Sequence, residues 1–304
     1  MSAFEKLALP IQKWVREQGW SELREVQARA VHAILDGERD LIISANTAGG
    51  KTEAAFLPLI SRAVEKLDSA SPGFDILYIA PLKALINDQY RRLSEVCRHA
   101  DLPVVPWHGD ISASIKNRAQ KHPKGILLIT PESLEALFVR KGSLIPHLFG
   151  GTRSVVVDEL HTFLDSERGV QLRSLLTRLE LSIGRPVRRI GLSATLGDKE
   201  AAGIYLRPGS AEQVELLEAE GGEQELQVQV RGYAEGDKDP ECASAIDAIS
   251  EHLFENLRGS QNLVFAGSRS TVETYADRLR RRCEREHLPQ EFYPHHASLS
   301  RDHR

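Results

Sequence analysis

Cysteine is scarce in this chain of 304 residues: three residues, Cys97, Cys242 and Cys283, scattered and odd in number. That count and spacing build neither a disulfide framework nor a zinc site. A reducing cytoplasm is therefore the expected compartment. Net charge is small at −4, with 39 basic and 43 acidic residues. The global basic footprint of a histone-like binder is missing. A binder that grips phosphates with backbone amides and a few local bases stays open. No apolar run is long enough to cross a bilayer, so no membrane partner is expected. The N-terminal stretch "MSAFEKLALPIQKW" mixes acids and bases on an amphipathic pattern and does not read as a secretion signal. Low-complexity tracts and short-period repeats are absent too.

What the chain has is 41% hydrophobic and 27% charged residues, the balance of a globular protein able to bury a real core. Short apolar runs alternate with helical patterns. The runs are "DLIISA", "FDILYIA", "LPVVPW", "GILLIT", "RSVVVD" and "VRRIGLSA". Between them lie stretches such as "KTEAAFLPLISRAVEKL", with apolar spacing near three and four. Strands apolar throughout, alternating with helices, predict an α/β fold with a doubly wound parallel sheet over residues 1–210. Residues 211–239 are acidic and glycine-containing and read as a connector with one or two strands, "QVELLE" and "ELQVQVRGY". A second α/β run fills residues 240–304: two helices, with "QNLVFAGS" and "EFYPHH" as strands. Two such units are too few to close a sheet, and the expectation is a truncated domain with an unfinished edge.

"ISANTAGGKTEAAF" resembles the phosphate-loop pattern G-x-x-x-x-G-K-[ST], except that Ala45 stands where the first glycine belongs. A strand ends, the chain turns through Asn46 to Gly49, and a helix starts near Lys51. Amides in such a turn, with the positive end of the helix, favour an anion. Lys51 is placed to reach the β- and γ-phosphates of a nucleotide and Thr52 to hold Mg²⁺. The pair Gly49–Gly50, with Ala48 before it, lets backbone approach closely. Further on, "RSVVVDELHTF" puts Asp158 and Glu159 at a strand's end, where a buried carboxylate needs a cation or a donor. Asp158 is where the metal of a bound triphosphate would sit, and Glu159 is placed to orient or deprotonate a water. On its residues alone, His161 reads as a surface or capping histidine.

"ANTAGGKT", "APLKAL", "TPESL", "VVVDELHTF" and "GLSATL" together resemble, in order, the motifs of superfamily-two DExH-box helicases. "WHGDISASIKNRAQKHPKGILLITPESLEALF", "LVFAGSRSTVETYADRL" and the terminal "HHASLSRDHR" look like the large helicase-related (Lhr) branch. The resemblance implies RecA-like P-loop domains: a first ATP-binding domain over 1–210, and the start of a second over 240–304. It implies ATP and Mg²⁺ as cofactors and single-stranded or partly duplex nucleic acid as partner, DNA ahead of RNA. Gln27, in "GWSELREVQ", matches the adenine reader. Lys51 and Glu159 take catalytic roles, with Thr52 and Asp158 on the metal. His161, Ser193, Ala194 and Thr195 match motifs that couple nucleotide state to domain movement. Pro81 and Lys83, then Thr130, Pro131 and Glu132, match segments facing the nucleic-acid backbone, and Ser268 and Arg269 match a strand-holding pair. The triplet 130–132 is also a good helix start, which is itself a phosphate site. Trp14 and Trp20 read as core, and "RLRRRCEREH" as a solvated helix face.

The family continues into a glutamine–glycine–arginine segment whose arginines complete the ATP site, and this sequence does not contain it. The expectation is an ATP-dependent helicase or translocase motor, nearly inactive as this chain alone and completed by a further portion or a protein partner. Two other readings stand beside it: a nucleotide-gated binding module without turnover, and a split subunit.

Overall fold

The apolar runs of the first 210 residues assemble into one sheet. In the computed structural model, which describes residues 1–46, 49–65, 72–194, 196–219, 227–233 and 244–296, the strands are β1 Asp40–Ser44, β2 Ile76–Ile79, β3 Val104–Trp107, β4 Ile126–Ile129, β5 Ser154–Val157, β6 Arg188–Ser193 and β7 Val214–Glu218. Their order across the sheet is β3-β4-β2-β5-β6-β1-β7, and the pairings are parallel. Pro106 lies in β3, at the sheet's edge, where a missing N–H costs no ladder bond on the open side.

Ten helices accompany these strands among the described residues: α1 Ala3–Lys6, α2 Leu9–Glu17, α3 Glu25–Asp36, α4 Lys51–Glu65, α5 Lys83–His99, α6 Ala113–Lys121, α7 Pro131–Lys141, α8 Ile145–Phe149, α9 Glu167–Ile183 and α10 Lys199–Leu206. They cover both faces of the sheet, and alternate strand residues feed two separate cores. Leu41, Ile43, Tyr78 and Val156 join Ile11, Val31, Ile34 and Ile60 from α2, α3 and α4. Ile42, Leu77, Ile79 and Val157 join Leu134, Leu148, Leu172 and Leu176 from α7, α8 and α9. Trp14 is buried and meets the partly buried Trp20 edge-on at 5.5 Å, as a core pair would. No helix of the described residues is long and apolar enough to cross a membrane.

The chain divides into two compact units, Met1–Gln224 and Glu225–Arg304. In the second, α11 Ala245–Leu257 packs on α12 Arg269–Arg285 through a small cluster of Phe254, Leu279 and Cys283, with Phe292 stacked on Phe254 at 6.1 Å. The stretch "RLRRRCEREH" lies on α12 and beyond it, laced by Arg280–Asp277, Arg280–Glu284 and Arg282–Glu286 pairs, which suits a solvated face. The expected strands at 227–233, 261–267 and 291–296 form no sheet pairing among the described residues. Leu263 and Phe265, in the second of these stretches, are 75% and 86% exposed. Apolar alternation alone does not make a strand; a ladder needs a partner to accept its hydrogen bonds.

Candidate nucleotide and nucleic-acid site

A parallel sheet brings the carboxyl ends of all its strands to one edge, and the motifs that follow a strand in the first 210 residues lie there. Strand order sorts them. β1, β6 and β5 are neighbours and lead into the phosphate-loop stretch, the Ser193 stretch and the Asp158–Glu159 pair. β2, β4 and β3 are neighbours and lead into Pro81–Lys83, Thr130–Glu132 and the His108 turn. Two of the residues singled out, Ala48 and Thr195, lie outside the described residues.

The loop after β1 is tight. Gly49 donates its N–H to the Asn46 carbonyl at 2.8 Å. A Cβ on Gly49 would come within 2.8 Å of both the Ala45 Cβ and the Asn46 carbonyl oxygen. The methyl of Ala45 thus fills the space that a side chain at 49 would need, and the glycine missing at position 45 reappears across the contact. Gly50 has φ +80°, and a Cβ there would meet the Gln27 amide at 2.7 Å. Gln27 is buried, accepts the Arg24 N–H at 3.0 Å, and lies directly against the loop. Lys51 opens α4 and folds back, donating to the Ala45 carbonyl at 2.6 Å. Burial pulls the Lys51 ammonium below the usual lysine pKa, while the charges of Glu159 and Asp158 work the other way. The Thr52 hydroxyl accepts from the Gln89 amide of α5 at 3.2 Å.

Asp158 is buried, and the reason it is tolerated is topological. Tyr78 of β2 sits in register with Val156 of β5, and Asp158 lies one pleat further along the same face. The Tyr78 hydroxyl therefore donates to Asp158 Oδ2, while the Glu159 N–H donates to Oδ1 at 3.0 Å. Burial raises the pKa of the Asp158 carboxyl; the Tyr78 hydrogen bond opposes the shift and the Glu159 charge adds to it. Such a carboxylate is short of positive charge. Glu159 turns through the left-handed region, φ 49°, and carries its side chain to 3.5 Å from His161 Nδ1. The same nitrogen lies 3.1 Å from the Ser193 hydroxyl at the end of β6. The Ala194 carbonyl accepts from Ser44 at the end of β1, at 2.8 Å. The strand ends β5, β6 and β1 are thereby stitched together in that order.

On the other half, Thr130 caps α7, accepting from the Ser133 N–H at 3.3 Å, with Pro131 in the first turn. Arg168 of α9 donates to Glu132 at 2.7 Å and to the Pro81 carbonyl at 2.6 Å, tying two separate segments to one guanidinium. Burial disfavours the Glu132 carboxylate, but the Arg168 hydrogen bond and charge outweigh it and leave its pKa below the ordinary value. Lys83 is half exposed and pairs with Asp110 at 3.1 Å. Buried His108 takes Asn87 at 3.0 Å on Nε2 and the Asp110 N–H at 3.4 Å on Nδ1. Burial lowers its pKa, which keeps the ring neutral and suited to that pairing. Ser268 caps α12, accepting from Thr271 N–H at 3.1 Å, and Arg269 is the first residue of that helix; both belong to the second unit.

Tyr78, Gln89, His108 and Arg168 hold the site together without having been singled out. Tyr78 had one available signal, a lone hydroxyl in an otherwise aliphatic buried strand.

Residues 24–203 match the family described as DEAD/DEAH box helicase. The chain is 30% identical to the ATP-dependent helicase Lhr-Core of Methanothermobacter thermautotrophicus over 96% of its own length and 35% of the relative's. It is 32% identical to a Lhr helicase/probable uracil glycosylase of Mycolicibacterium smegmatis, over 83% of this chain and 17% of that one. The chain thus spans about a third or less of the length of these curated relatives. Among solved structures, Mycobacterium smegmatis helicase Lhr bound to ssDNA and AMP-PNP superposes with TM-score 0.76 at 24% identity, over 99% of this chain and 40% of that one. The DEAD-box helicase Mss116 bound to ssRNA and UDP-BeF gives 0.74 at 17%, over 99% and 62%. With its parallel sheet, its phosphate-loop lysine and its Asp-Glu strand end inside the matched span, the chain belongs to the DEAD/DEAH box helicase family.

Proposed function

We propose that the chain is the N-terminal motor portion of an ATP-dependent nucleic-acid helicase or translocase of the Lhr type, with the first RecA-like domain running past the expected 210 through β7, which pairs with β1 where a connector was expected, and with the start of the second in the unit Glu225–Arg304. One observation carries the reading: β1 and β5 flank β6, with Ser44 bonded to Ala194 and His161 to Ser193, so the phosphate-loop stretch and the acidic strand end lie side by side at one edge. The residues fit a magnesium nucleotide. The loop has two positions where a Cβ would intrude, a lysine bonded to the Ala45 and Asn46 carbonyls, and a buried aspartate whose pKa is raised by burial and by the Glu159 charge. Thr52 and Asp158 would hold Mg²⁺, which supplies charge neutralisation on the phosphates.

Lys51 exchanges its carbonyl partners for phosphate oxygens. Gln27, pressed against Gly50, reads the base. Glu159 orients or deprotonates the attacking water, and His161, Ser193, Ala194 and Thr195 report phosphate loss to the sheet edge. Pro81, Lys83, Thr130, Pro131 and Glu132 meet the strand's backbone, joined by Ser268 and Arg269. Contacts to backbone imply little sequence preference. DNA is the preferred track, and RNA is the second choice.

The test is a calorimetric titration with magnesium AMP-PNP. Lys51→Ala loses most of the affinity, while Glu159→Gln keeps it. Unchanged binding by Lys51→Ala overturns the assignment.

A further inference from the structure

The amino edge of the sheet, opposite the motif loops, holds a cleft of about 790 Å³. Arg39, Arg62, Arg153, Arg185, Arg188 and Arg207 line it, against two carboxylates, Glu38 and Asp40. Among the described residues, lysine is absent from the lining. Both carboxylates are already engaged: Glu38 by Arg62 at 2.6 Å, Asp40 by Arg207 at 2.5 Å. Three of the other arginines hydrogen-bond to carbonyl oxygens and, among the described residues, to no carboxylate. Arg185 donates to Gly150 and Thr152, at 2.9 and 2.6 Å. Arg188 donates to Ala33, Ile34, Gly37 and Arg39, and Arg39 to Glu212 at 2.6 Å. These bonds fix the guanidinium planes, and the six arginines outnumber the two carboxylates of the lining.

Burial weakens the charged forms of Arg185 and Arg188; the charge of Arg153 adds to this at Arg185, while at Arg188 the charge of Arg62 adds to it and those of Glu38, Asp40 and Glu215 oppose it. Like charges held together in a half-buried cleft lower their energy when an anion enters. Fixed guanidinium forks suit the tetrahedral, multiply accepting oxygens of phosphate.

We propose that this cleft is a second phosphate-binding site, taking successive phosphates of a nucleic-acid backbone away from the motif edge. The inference rests on the nucleic-acid reading above and extends it to a surface none of its motifs occupy. The site would hold a flank of the nucleic acid while the carboxyl edge handles the strand being moved.

The experiment uses the full chain and a short fluorescein-labelled DNA duplex, read by anisotropy between about 50 and about 200 mM salt. The variant is Arg39→Glu/Arg153→Glu, with Arg39→Lys/Arg153→Lys beside it; Arg188, which is buried, and Arg185, which holds two carbonyls, stay. The charge-reversed protein is expected to bind more weakly, with a salt slope shallower by about 0.9 for each phosphate it no longer neutralises. The lysine pair is expected to keep most of the affinity. Tripolyphosphate should compete with the duplex on the parent, and AMP-PNP affinity should be the same in all three proteins. Lys83→Ala reports the motif edge separately. If the parent binds duplex and the reversed pair binds it equally, with the same slope, the cleft proposal fails and the motor reading stands. If the parent binds tripolyphosphate in the cleft but no nucleic acid at either edge, both fail.

Discussion

Replacing Gly49 by alanine tests whether the Ala45 methyl has taken the place of the loop's missing glycine. The added Cβ would sit 2.8 Å from the Ala45 Cβ and 2.8 Å from the Asn46 oxygen, where relaxed carbon contacts lie at about 3.5–4.0 Å. One of the two neighbours must give by roughly 0.7 Å or more, and overpacking of that kind costs about 1–3 kcal/mol. Because the hydrogen bond from Gly49 to Asn46 shapes the turn, the strain falls on the geometry that nucleotide phosphates need. Converted at 1.4 kcal/mol per decade, affinity for magnesium AMP-PNP drops roughly 5- to 150-fold. Melting falls as well, by the part of that cost that the restriction of the unfolded chain, about 0.4–1 kcal/mol, does not offset. Ala45→Gly/Gly49→Ala removes the methyl–methyl contact but keeps the one to Asn46, so it recovers part of the affinity. Calorimetry on the three proteins decides it. Parental affinity in Gly49→Ala alone would refute the compensation.

Two more perturbations act on the buried carboxylate. The folded-state pKa of Asp158 lies above its unfolded value, so the group stabilises the fold when protonated and that contribution is lost as pH rises through the folded pKa. Asp158→Asn should therefore melt higher than the parent at neutral pH without nucleotide, with the gap closing as pH falls, and should lose metal-dependent nucleotide affinity; a lower melting point at neutral pH would contradict this. Tyr78→Phe removes a donor to that carboxylate, a bond of about 1.5–3 kcal/mol. It should lower stability and move the acid limit of magnesium-nucleotide binding to higher pH, because the Tyr78 bond holds the Asp158 pKa down; titrations across the mildly acidic range would show the limit unmoved if Tyr78 were merely packing.

Local signals carried the first unit a long way. Continuous apolar runs bounded by turn residues are strands buried on both faces, and six of them pair as a parallel sheet should. Lys51 and Asp158 were legible because a strand end is a position the sequence declares. What the sequence withheld is lateral. Nothing near Tyr78 says that β2 will lie beside β5, and only that neighbourhood turns an aromatic strand residue into the partner of an acid 80 positions away. Arg168 is likewise an ordinary helical arginine until α9 lies beside the loops that hold Pro81 and Glu132. In the second unit the same strand signals at 261–267 and 291–296 were misleading as to pairing, since apolar character says what a segment can bury and not which partner it finds.

The strand order has one more consequence. The chain visits the phosphate half of the edge through β1, leaves it for β2, β3 and β4, and returns through β5 and β6. The two halves are separate in space but interleaved in sequence. Neither can be cut out as a contiguous segment, exchanged with another protein's, or duplicated without carrying strands of the other. A lineage built on this sheet inherits both surfaces together, and alters one only by point changes in loops that the other half holds in place.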